Sequence, residues 1–242
     1  MASRPVRLPI VDSLRGFAVA QMIVYHFIYD LNYFGWLHLR MLIEHPWVGW
    51  RTAIVTQFLL LVGVGLALRT SFKPGLRDFW WRWAQIAAAA LLVSGGSALV
   101  FGERFIWFGI LHFVAAALVL VRPLVRLGRW NWALGIVALA VGLLFADTAF
   151  DDPPLAVLGF VASKPKTEDY VPLFPWLGVV LIGVALGAEW QKRNWKVPAA
   201  LRGLNDSPPR LLTVLGTWAL TVYLVHQPLL MGTLALLKRA GL

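Results

Sequence analysis

Long apolar stretches separated by short polar segments repeat along the whole chain. Seven stretches approach the roughly 17 to 25 residues with which a helix crosses the hydrocarbon core of a bilayer. We predict helices at about residues 11–32, 52–68, 83–101, 106–121, 132–149, 173–189 and 211–236. This pattern predicts an all-α fold, a polytopic membrane helical bundle with about seven transmembrane helices. We find no internal repeat or low-complexity segment and predict a single domain over residues 1–242.

The composition excludes an ordinary soluble domain. Apolar residues make up 59% of the 242 residues and charged residues only 14%, whereas soluble domains contain about 25% charged residues. A soluble chain of this length has no room to bury 13 Trp and 14 Phe together with so many uncharged stretches. The absence of cysteine excludes disulfides, cysteine nucleophiles and thiolate metal sites.

The positive charge of the chain lies in the short segments between the apolar stretches. A net charge of +10 in this arrangement indicates membrane topology and contact with lipid phosphate, and we predict no nucleic-acid partner. An N-in, C-out orientation places 15 of the 22 Lys and Arg residues on the cytoplasmic side of the membrane. These 15 are Arg4, Arg7, Arg15, Arg69, Lys73, Arg77, Arg82, Arg122, Arg126, Arg129, Lys192, Arg193, Lys196, Arg202 and Arg210.

The first predicted helix has one polar face. At 100° per residue, Asp12, Arg15, His26 and Asp30 fall within a stripe roughly 60° wide. Because the stretch carries these charges and lacks a small-residue cleavage pattern, we predict a retained helix and no cleavable signal peptide. Asp12 and Arg15 are three positions apart near the inner boundary, a spacing that suits either a structural ion pair or a contact with a phosphate from the cytoplasm.

His26 and Asp30 are the first candidates for catalysis. An ionisable group at bilayer depth costs about 2.5 to 3.5 kcal/mol, so each requires a partner or a wet cavity. Their four-residue spacing allows a carboxylate to hold one imidazole tautomer and raise its basicity. We predict that His26 acts as a general base and that Asp30 orients it.

Two further predicted helices carry candidate groups. His112 is the one ionisable residue in the body of the fourth, where it is either a packed, hydrogen-bonded histidine or a catalytic group. The seventh contains Tyr223, His226, Gln227 and Pro228. The proline frees the carbonyl of residue 224 and predicts a kink that opens space for a ligand beside His226.

Histidines on three helices raise the question of a metal. No pair has metal-ligand spacing and nearby carboxylates are few, so we predict no metal. His45, in the first external loop, is a reserve base.

Six motifs occur in the order typical of one known family. The chain resembles the bacterial branch of the heparan-alpha-glucosaminide N-acetyltransferase catalytic-domain family over nearly its whole length. The motifs are Asp12-Ser-Leu-Arg15-Gly16, Met22-Ile-Val-Tyr-His26-Phe-Ile-Tyr-Asp30-Leu31, Phe58 to Leu66, Phe108-Gly-Ile-Leu-His112, Asp169-Tyr-Val-Pro172-Leu-Phe-Pro175-Trp176 and Leu224-Val-His226-Gln227-Pro228.

The resemblance implies a membrane acyltransferase that uses an intramembrane histidine. Acyl-CoA, most simply acetyl-CoA, would be the co-substrate on the cytoplasmic side, with no tightly bound cofactor, and a sugar or other envelope glycan would be the acceptor outside. The animal enzyme has asparagine at the position of His26, and its catalytic histidine aligns loosely with His45. We assign His26, Asp30, His226 and His112 to catalysis. To substrate binding we assign Arg15, Asp12, Asp169, Tyr223, Gln227 and His45.

Two other functions remain open on the sequence alone. Intramembrane His and Asp groups also serve as proton relays in transporters, although the chain lacks an inverted repeat. A non-enzymatic subunit that packs against a larger membrane complex would use small-residue and aromatic surfaces as its interaction faces, and its histidines would be structural. Membrane lipid is a predicted partner in each case, and a homo-oligomer or a membrane-complex partner is left open.

Overall fold

The computed structural model describes residues 8–72 and 75–241, and in these ranges every regular element is a helix. The all-α prediction is therefore confirmed. The α-helices are α1 Pro9–Tyr33, α2 His45–Ser71, α3 Leu76–Phe101, α4 Ile110–Val121, α5 Asn131–Leu144, α6 Pro153–Ala156, α7 Trp176–Lys192, α8 Arg202–Asp206, α9 Arg210–Thr217 and α10 Ala219–Arg239. Short 3₁₀ segments are Gly102–Arg104, Arg122–Trp130, Thr148–Phe150 and Ala199–Leu201.

Each predicted stretch contains a helix, but the last is interrupted. Residues 211–236 divide at Trp218 into α9 and α10, whereas α10 continues through Pro228. The interruption between the two helices therefore lies ten residues before Pro228, and the kink expected at that proline stays a prediction.

Four helical stretches of the described chain are long and apolar enough to cross a membrane: His45–Ser71, Leu76–Arg104, Ile110–Leu144 and Ala219–Arg239. Ile110–Leu144 is not regular throughout, since Gly128 has φ 54° and ψ −120°. Seven spans and the N-in, C-out orientation stay predictions. Of the cations used for that orientation, Arg4, Arg7 and Lys73 lie outside the described residues.

The described chain forms two compact units. The first contains Leu59–Lys196, and the second lies within Arg7–Phe58 and Val197–Leu242. Helix α2 contributes residues to both units. That residues 1–242 form a single domain stays a prediction.

Helix α7 is the core helix of the first unit, and glycines on two of its faces allow close approach of neighbouring backbones. A methyl group on Gly183 would collide with the Leu60 carbonyl of α2, and one on Gly63 would collide with the Val180 carbonyl. On the other face, Gly178 and Gly135 of α5 each approach the carbonyl oxygen of the other. Small residues thus permit close packing at these contacts.

A similar glycine contact joins α1 to α9 in the second unit. A methyl group on Gly16 would collide with the Leu212 carbonyl, and one on Gly216 with the Asp12 carbonyl. Ser13 and Thr213 add a hydroxyl hydrogen bond of 3.3 Å across the same contact. The backbone of α1 is therefore fixed directly against α9.

The small-residue run of residues 94–98 has a different role. Nothing lies within 4 Å of a methyl group built on Gly95 or Gly96. Ser94 donates to the Ile106 carbonyl at 2.6 Å, and Ser97 accepts from the Ile106 N–H at 2.9 Å. The run therefore anchors the segment that leads into α4.

The segment between α5 and α7 is ordered by internal contacts. The Tyr170 hydroxyl donates to the Ala156 carbonyl at 2.6 Å, and Asp151 Oδ1 accepts from the N–H groups of Ala162 and Ser163. Burial, and secondly the negative charge of Asp151, raise the pKa of Tyr170 to about 12. The phenol therefore remains a donor well into the alkaline range.

Alanine substitutions at the glycines will distinguish close contacts from open helix surface. We expect Gly16→Ala and Gly63→Ala to lower the free energy of unfolding by about 1 to 3 kcal/mol each, because a backbone carbonyl stands where the methyl group would go. The measurement is thermal unfolding of the purified protein in detergent.

Gly95→Ala is the matched control for these two variants. It is also a mid-helix glycine, but its methyl group would enter open space, so its better helix propensity should leave stability unchanged or raise it by up to about 1 kcal/mol. Equal behaviour of all three variants would contradict the assignment of close contacts.

Candidate functional site

Two histidines from α1 and α10 form the centre of the candidate site in the second unit. His26 Nδ1 and His226 Nε2 are 2.7 Å apart, and the two rings are nearly parallel, with an interplanar angle of 11°. His226 is buried and His26 is partly exposed. The fold thus joins two residues that are 200 positions apart in the chain.

The surrounding hydrogen bonds fix the tautomers of this pair. His226 Nδ1 lies 2.8 Å from the Tyr223 carbonyl and 3.1 Å from the Val222 carbonyl, and a carbonyl only accepts, so Nδ1 carries the hydrogen. In the neutral ring Nε2 is then an acceptor, and His26 Nδ1–H donates to it. His26 Nε2 is left with its lone pair, which is the atom that a general base requires.

Asp30 pairs with Gln227 instead of His26. Gln227 Nε2 donates to Asp30 Oδ1 at 2.8 Å, and Asp30 is fully buried. Asp30 Oδ2 and Gln227 Oε1 have no hydrogen-bond partner in the described chain. The predicted Asp30–His26 hydrogen bond is therefore absent, because His26 directs Nδ1 toward His226 on α10.

Asp12 and Arg15 form the ion pair that their spacing allows. Arg15 Nη1 donates to Asp12 Oδ1 at 2.9 Å and approaches the Gly216 carbonyl at 3.4 Å. The pair therefore reinforces the contact between α1 and α9. A phosphate contact through Arg15 stays a prediction.

His112 and Asp169 lie in the first unit, where both hold the start of α4. His112 Nδ1 accepts from the Gly109 N–H at 3.3 Å, so its Nε2 carries the hydrogen, and Nε2 lies 3.0 Å from Ser94 Oγ. Asp169 Oδ2 accepts from the Ile110 N–H at 2.9 Å. Both ring nitrogens of His112 are thus occupied, as expected of a packed, hydrogen-bonded histidine.

Of the remaining predicted site residues, Tyr223 contacts the histidine pair and His45 lies at the exposed start of α2. Tyr223 offers its backbone carbonyl to His226, and its ring centroid lies 5.8 Å from that of His226. His45 is the exposed first residue of α2.

A polar group that joins α1 to α2 was not predicted from the sequence. Gln21 Nε2 donates to Gln57 Oε1 at 2.8 Å, and Trp50 Nε1 donates to Gln21 Oε1 at 3.3 Å. The buried Tyr25 hydroxyl has no partner in the described chain. Uncharged amides inside apolar helices were the available signal for Gln21 and Gln57, although their pairing depends on the fold.

Within residues 8–72 and 75–241, no group of three or more His, Cys, Asp or Glu side chains is arranged to hold a metal ion.

Comparison with known proteins identifies one family. The family model described as "Heparan-alpha-glucosaminide N-acetyltransferase, catalytic" matches residues 7–228. The match includes both histidines of the pair and both members of the Asp30–Gln227 contact. Searches of the curated proteins and of the solved structures found no match to this chain.

Removal of the Asp169 carboxylate should destabilise the start of α4. We expect Asp169→Ala to lower the free energy of unfolding by about 1 kcal/mol, the usual cost of losing a side-chain acceptor at a helix N-terminus. Thermal unfolding in detergent measures the change. Asp152→Ala is the control, because Asp152 precedes α6 but makes no side-chain cap hydrogen bond. A loss as large in the control would contradict the capping role.

Proposed function

The chain belongs to the heparan-alpha-glucosaminide N-acetyltransferase catalytic family, and from this premise we propose that it moves an acetyl or acyl group from cytoplasmic acyl-CoA to an acceptor outside the membrane. The family and the membrane-length helices identify a membrane protein of an acetyltransferase family. The proposed acceptor is a hydroxyl or amine of a sugar or another envelope molecule. The proposed location is the bacterial inner membrane.

The observation that carries the proposal is the 2.7 Å contact between His26 and His226. It supports a general base at His26 Nε2, since the donors at His226 Nδ1 and His26 Nδ1 are both used. A second neutral imidazole behind the base stabilises the positive charge that develops when His26 takes a proton. His226 thus has the orienting role that the sequence analysis gave to Asp30.

The proposed reaction is a one-step transfer. The acceptor oxygen or nitrogen attacks the thioester carbonyl carbon while its proton passes to His26 Nε2. The C–S bond then breaks, and the thiolate of CoA takes the proton from His26. The products are the acylated acceptor and CoA with a free thiol, and the histidine pair returns to its starting tautomers.

The developing oxyanion also requires a hydrogen-bond donor. We assign this task to the Tyr223 hydroxyl and to the second amide hydrogen of Gln227, both of which belong to the same turn of α10 as His226. Arg15 remains the proposed contact for a CoA phosphate, and His45 and Asp169 remain proposed acceptor contacts.

The Asp30–Gln227 contact is proposed to position α1 against α10 with Asp30 in its neutral form. Leaving Asp30 Oδ2 and Gln227 Oε1 both as bare acceptors is costly in a buried site. A proton on Oδ2 converts one of these acceptors into a donor for the other. Asp30 is then a positioning residue that holds the register of the histidine pair, rather than a charged partner of His26.

Substitution of the histidines tests the proposal. We expect His26→Ala to lower acetyl transfer by about 10²- to 10⁴-fold, the range of general-base catalysis. His226→Gln should lose less activity than His226→Ala, because the glutamine amide offers an acceptor near the position of Nε2. The measurement is transfer of radiolabel from acetyl-CoA to hexoses and hexosamines by the purified protein in nanodiscs.

His38→Ala is the control for the histidine variants, because His38 is an exposed loop residue. Full activity of His26→Ala would contradict the base assignment. Absence of acetyl-CoA binding by the folded wild type would instead reject the acyltransferase and favour a non-enzymatic membrane subunit or a proton-coupled carrier.

The neutral state of Asp30 predicts tolerance of asparagine. Asp30→Asn retains an oxygen that accepts from Gln227 and supplies an N–H in place of the carboxyl proton, so we expect activity within about threefold of wild type, a difference of under 1 kcal/mol. Asp30→Ala removes both contacts and should lose most activity. Loss of activity in Asp30→Asn as complete as in Asp30→Ala would show that Asp30 acts as a charged group.

A further inference from the structure

A recess in the first unit combines two arginines with aromatic walls. It has a volume of about 340 Å³ and is formed where the end of α2, the start of α3, the end of α4 and the following 3₁₀ segment meet. Its lining residues are Thr70, Phe79, Trp80, Val119, Arg122, Pro123 and Arg126. None of these residues belongs to the histidine pair or its surrounding contacts.

The cationic side of the recess lacks a compensating charge. No acidic residue is among its described lining residues, and neither Arg122 nor Arg126 forms an ion pair or a side-chain hydrogen bond with the described part of the chain. Two guanidinium groups at one recess therefore present donors suited to an anion, and phosphate oxygens match the planar fork of arginine.

Aromatic contacts shape the other side of the recess. The Arg122 guanidinium carbon lies 4.3 Å from the centroid of the Phe79 ring, a cation–π contact that restrains the guanidinium without neutralising it. Trp80 and Val119 remain 44% and 39% exposed. A ligand that fills this site therefore needs an anionic group for the arginines and an apolar portion for the exposed walls.

The position of the recess along the helices identifies the source of such a ligand. Thr70 lies one residue before the end of the membrane-length stretch His45–Ser71, and Phe79 and Trp80 lie in the first turns of the stretch Leu76–Arg104. Arg122 and Arg126 lie in the 3₁₀ segment that follows α4 and interrupts the stretch Ile110–Leu144. The ends of membrane-spanning helices lie at the level of lipid headgroups, where tryptophan is also enriched. Phosphate and acyl chains are both present at this level.

We propose that this recess binds the headgroup phosphate of an anionic phospholipid. Arg122 and Arg126 contact the phosphate, and Trp80 and Val119 contact the glycerol and the upper part of an acyl chain. The site is separate from the acyl-transfer chemistry and does not depend on it. Its role is to fix the ends of α2, α3 and α4 against the membrane surface.

Native mass spectrometry of the delipidated protein in detergent tests this site. The probes are phosphatidylglycerol, which carries a net negative charge, and phosphatidylcholine, which is neutral overall. We expect the wild type to bind phosphatidylglycerol more tightly than phosphatidylcholine, and the variant Arg122→Gln/Arg126→Gln to bind phosphatidylglycerol at least about tenfold more weakly than the wild type. Phosphatidylglycerol should also raise the melting temperature of the wild type and not that of the variant.

The matched control is Lys192→Gln/Lys196→Gln. It removes the same charge from two exposed residues that are also four positions apart in the first unit, and we expect it to bind phosphatidylglycerol as the wild type does. Equal melting temperatures of the wild type and Arg122→Gln/Arg126→Gln in the absence of lipid confirm that this variant is folded. If the two melting temperatures differ, the variant Arg122→Lys/Arg126→Lys is used in its place.

Three results would overturn the proposal. The first is unchanged phosphatidylglycerol affinity in the arginine variant, and the second is an equal loss of affinity in the lysine control. The third is displacement of bound phosphatidylglycerol by free coenzyme A in the wild type but not in the arginine variant, which would assign the recess to a nucleotide phosphate. Loss of acetyl transfer is neither expected nor required, so failure here and failure of the acyltransferase proposal are distinguishable.

Discussion

Buried polar side chains need partners within the protein, because no water is present to replace those partners and an unpaired polar group is costly. This constraint accounts for many of the side-chain contacts in the structure. His26 meets His226, and Asp30 meets Gln227. His112 meets Ser94 in the same way. The first two contacts join α1 to α10, which are distant in the chain, and the third joins the consecutive helices α3 and α4, so satisfying polar groups also aligns the helices.

Close backbone packing makes such alignment rigid. Apolar side chains provide little preference between a neighbouring helix and lipid, so helices in a membrane associate through van der Waals packing of small residues. Gly16 and Gly216 bring α1 and α9 together at their backbones, and Gly63 and Gly183 do the same for α2 and α7. His26 therefore lies on α1, a helix whose backbone is fixed at another point along its length, and His226 lies on α10, which begins two residues after α9 ends.

The two polar clusters illustrate how the same residue types acquire different roles. His112 accepts a hydrogen bond from the Gly109 N–H at Nδ1 and contacts Ser94 through Nε2, so it has no lone pair to offer a substrate. Within the described chain, His26 hydrogen-bonds only through Nδ1, which donates to His226 Nε2. Because His226 Nδ1 in turn donates to the Tyr223 carbonyl, the unprotonated nitrogen of His26 is Nε2. The number of hydrogen bonds that a histidine makes, rather than its depth or sequence motif, separates a helix cap from a candidate base.

The sequence alone determined the helical class, the approximate helix positions, the family and the identity of the polar residues. Hydrophobic periodicity and charge are local properties, so α1 and the residues His26, Asp30 and His226 were identified without a structure. The partner of each side chain depended on the tertiary structure. A spacing of four residues allowed Asp30 to hydrogen-bond to His26. The packing of α10 against α1 instead gives His26 the partner His226 and gives Asp30 the partner Gln227. The amides Gln21 and Gln57 were likewise visible as residues but not as a pair, because contacts between distant helices are decided by how those helices pack and not by the sequence near either residue.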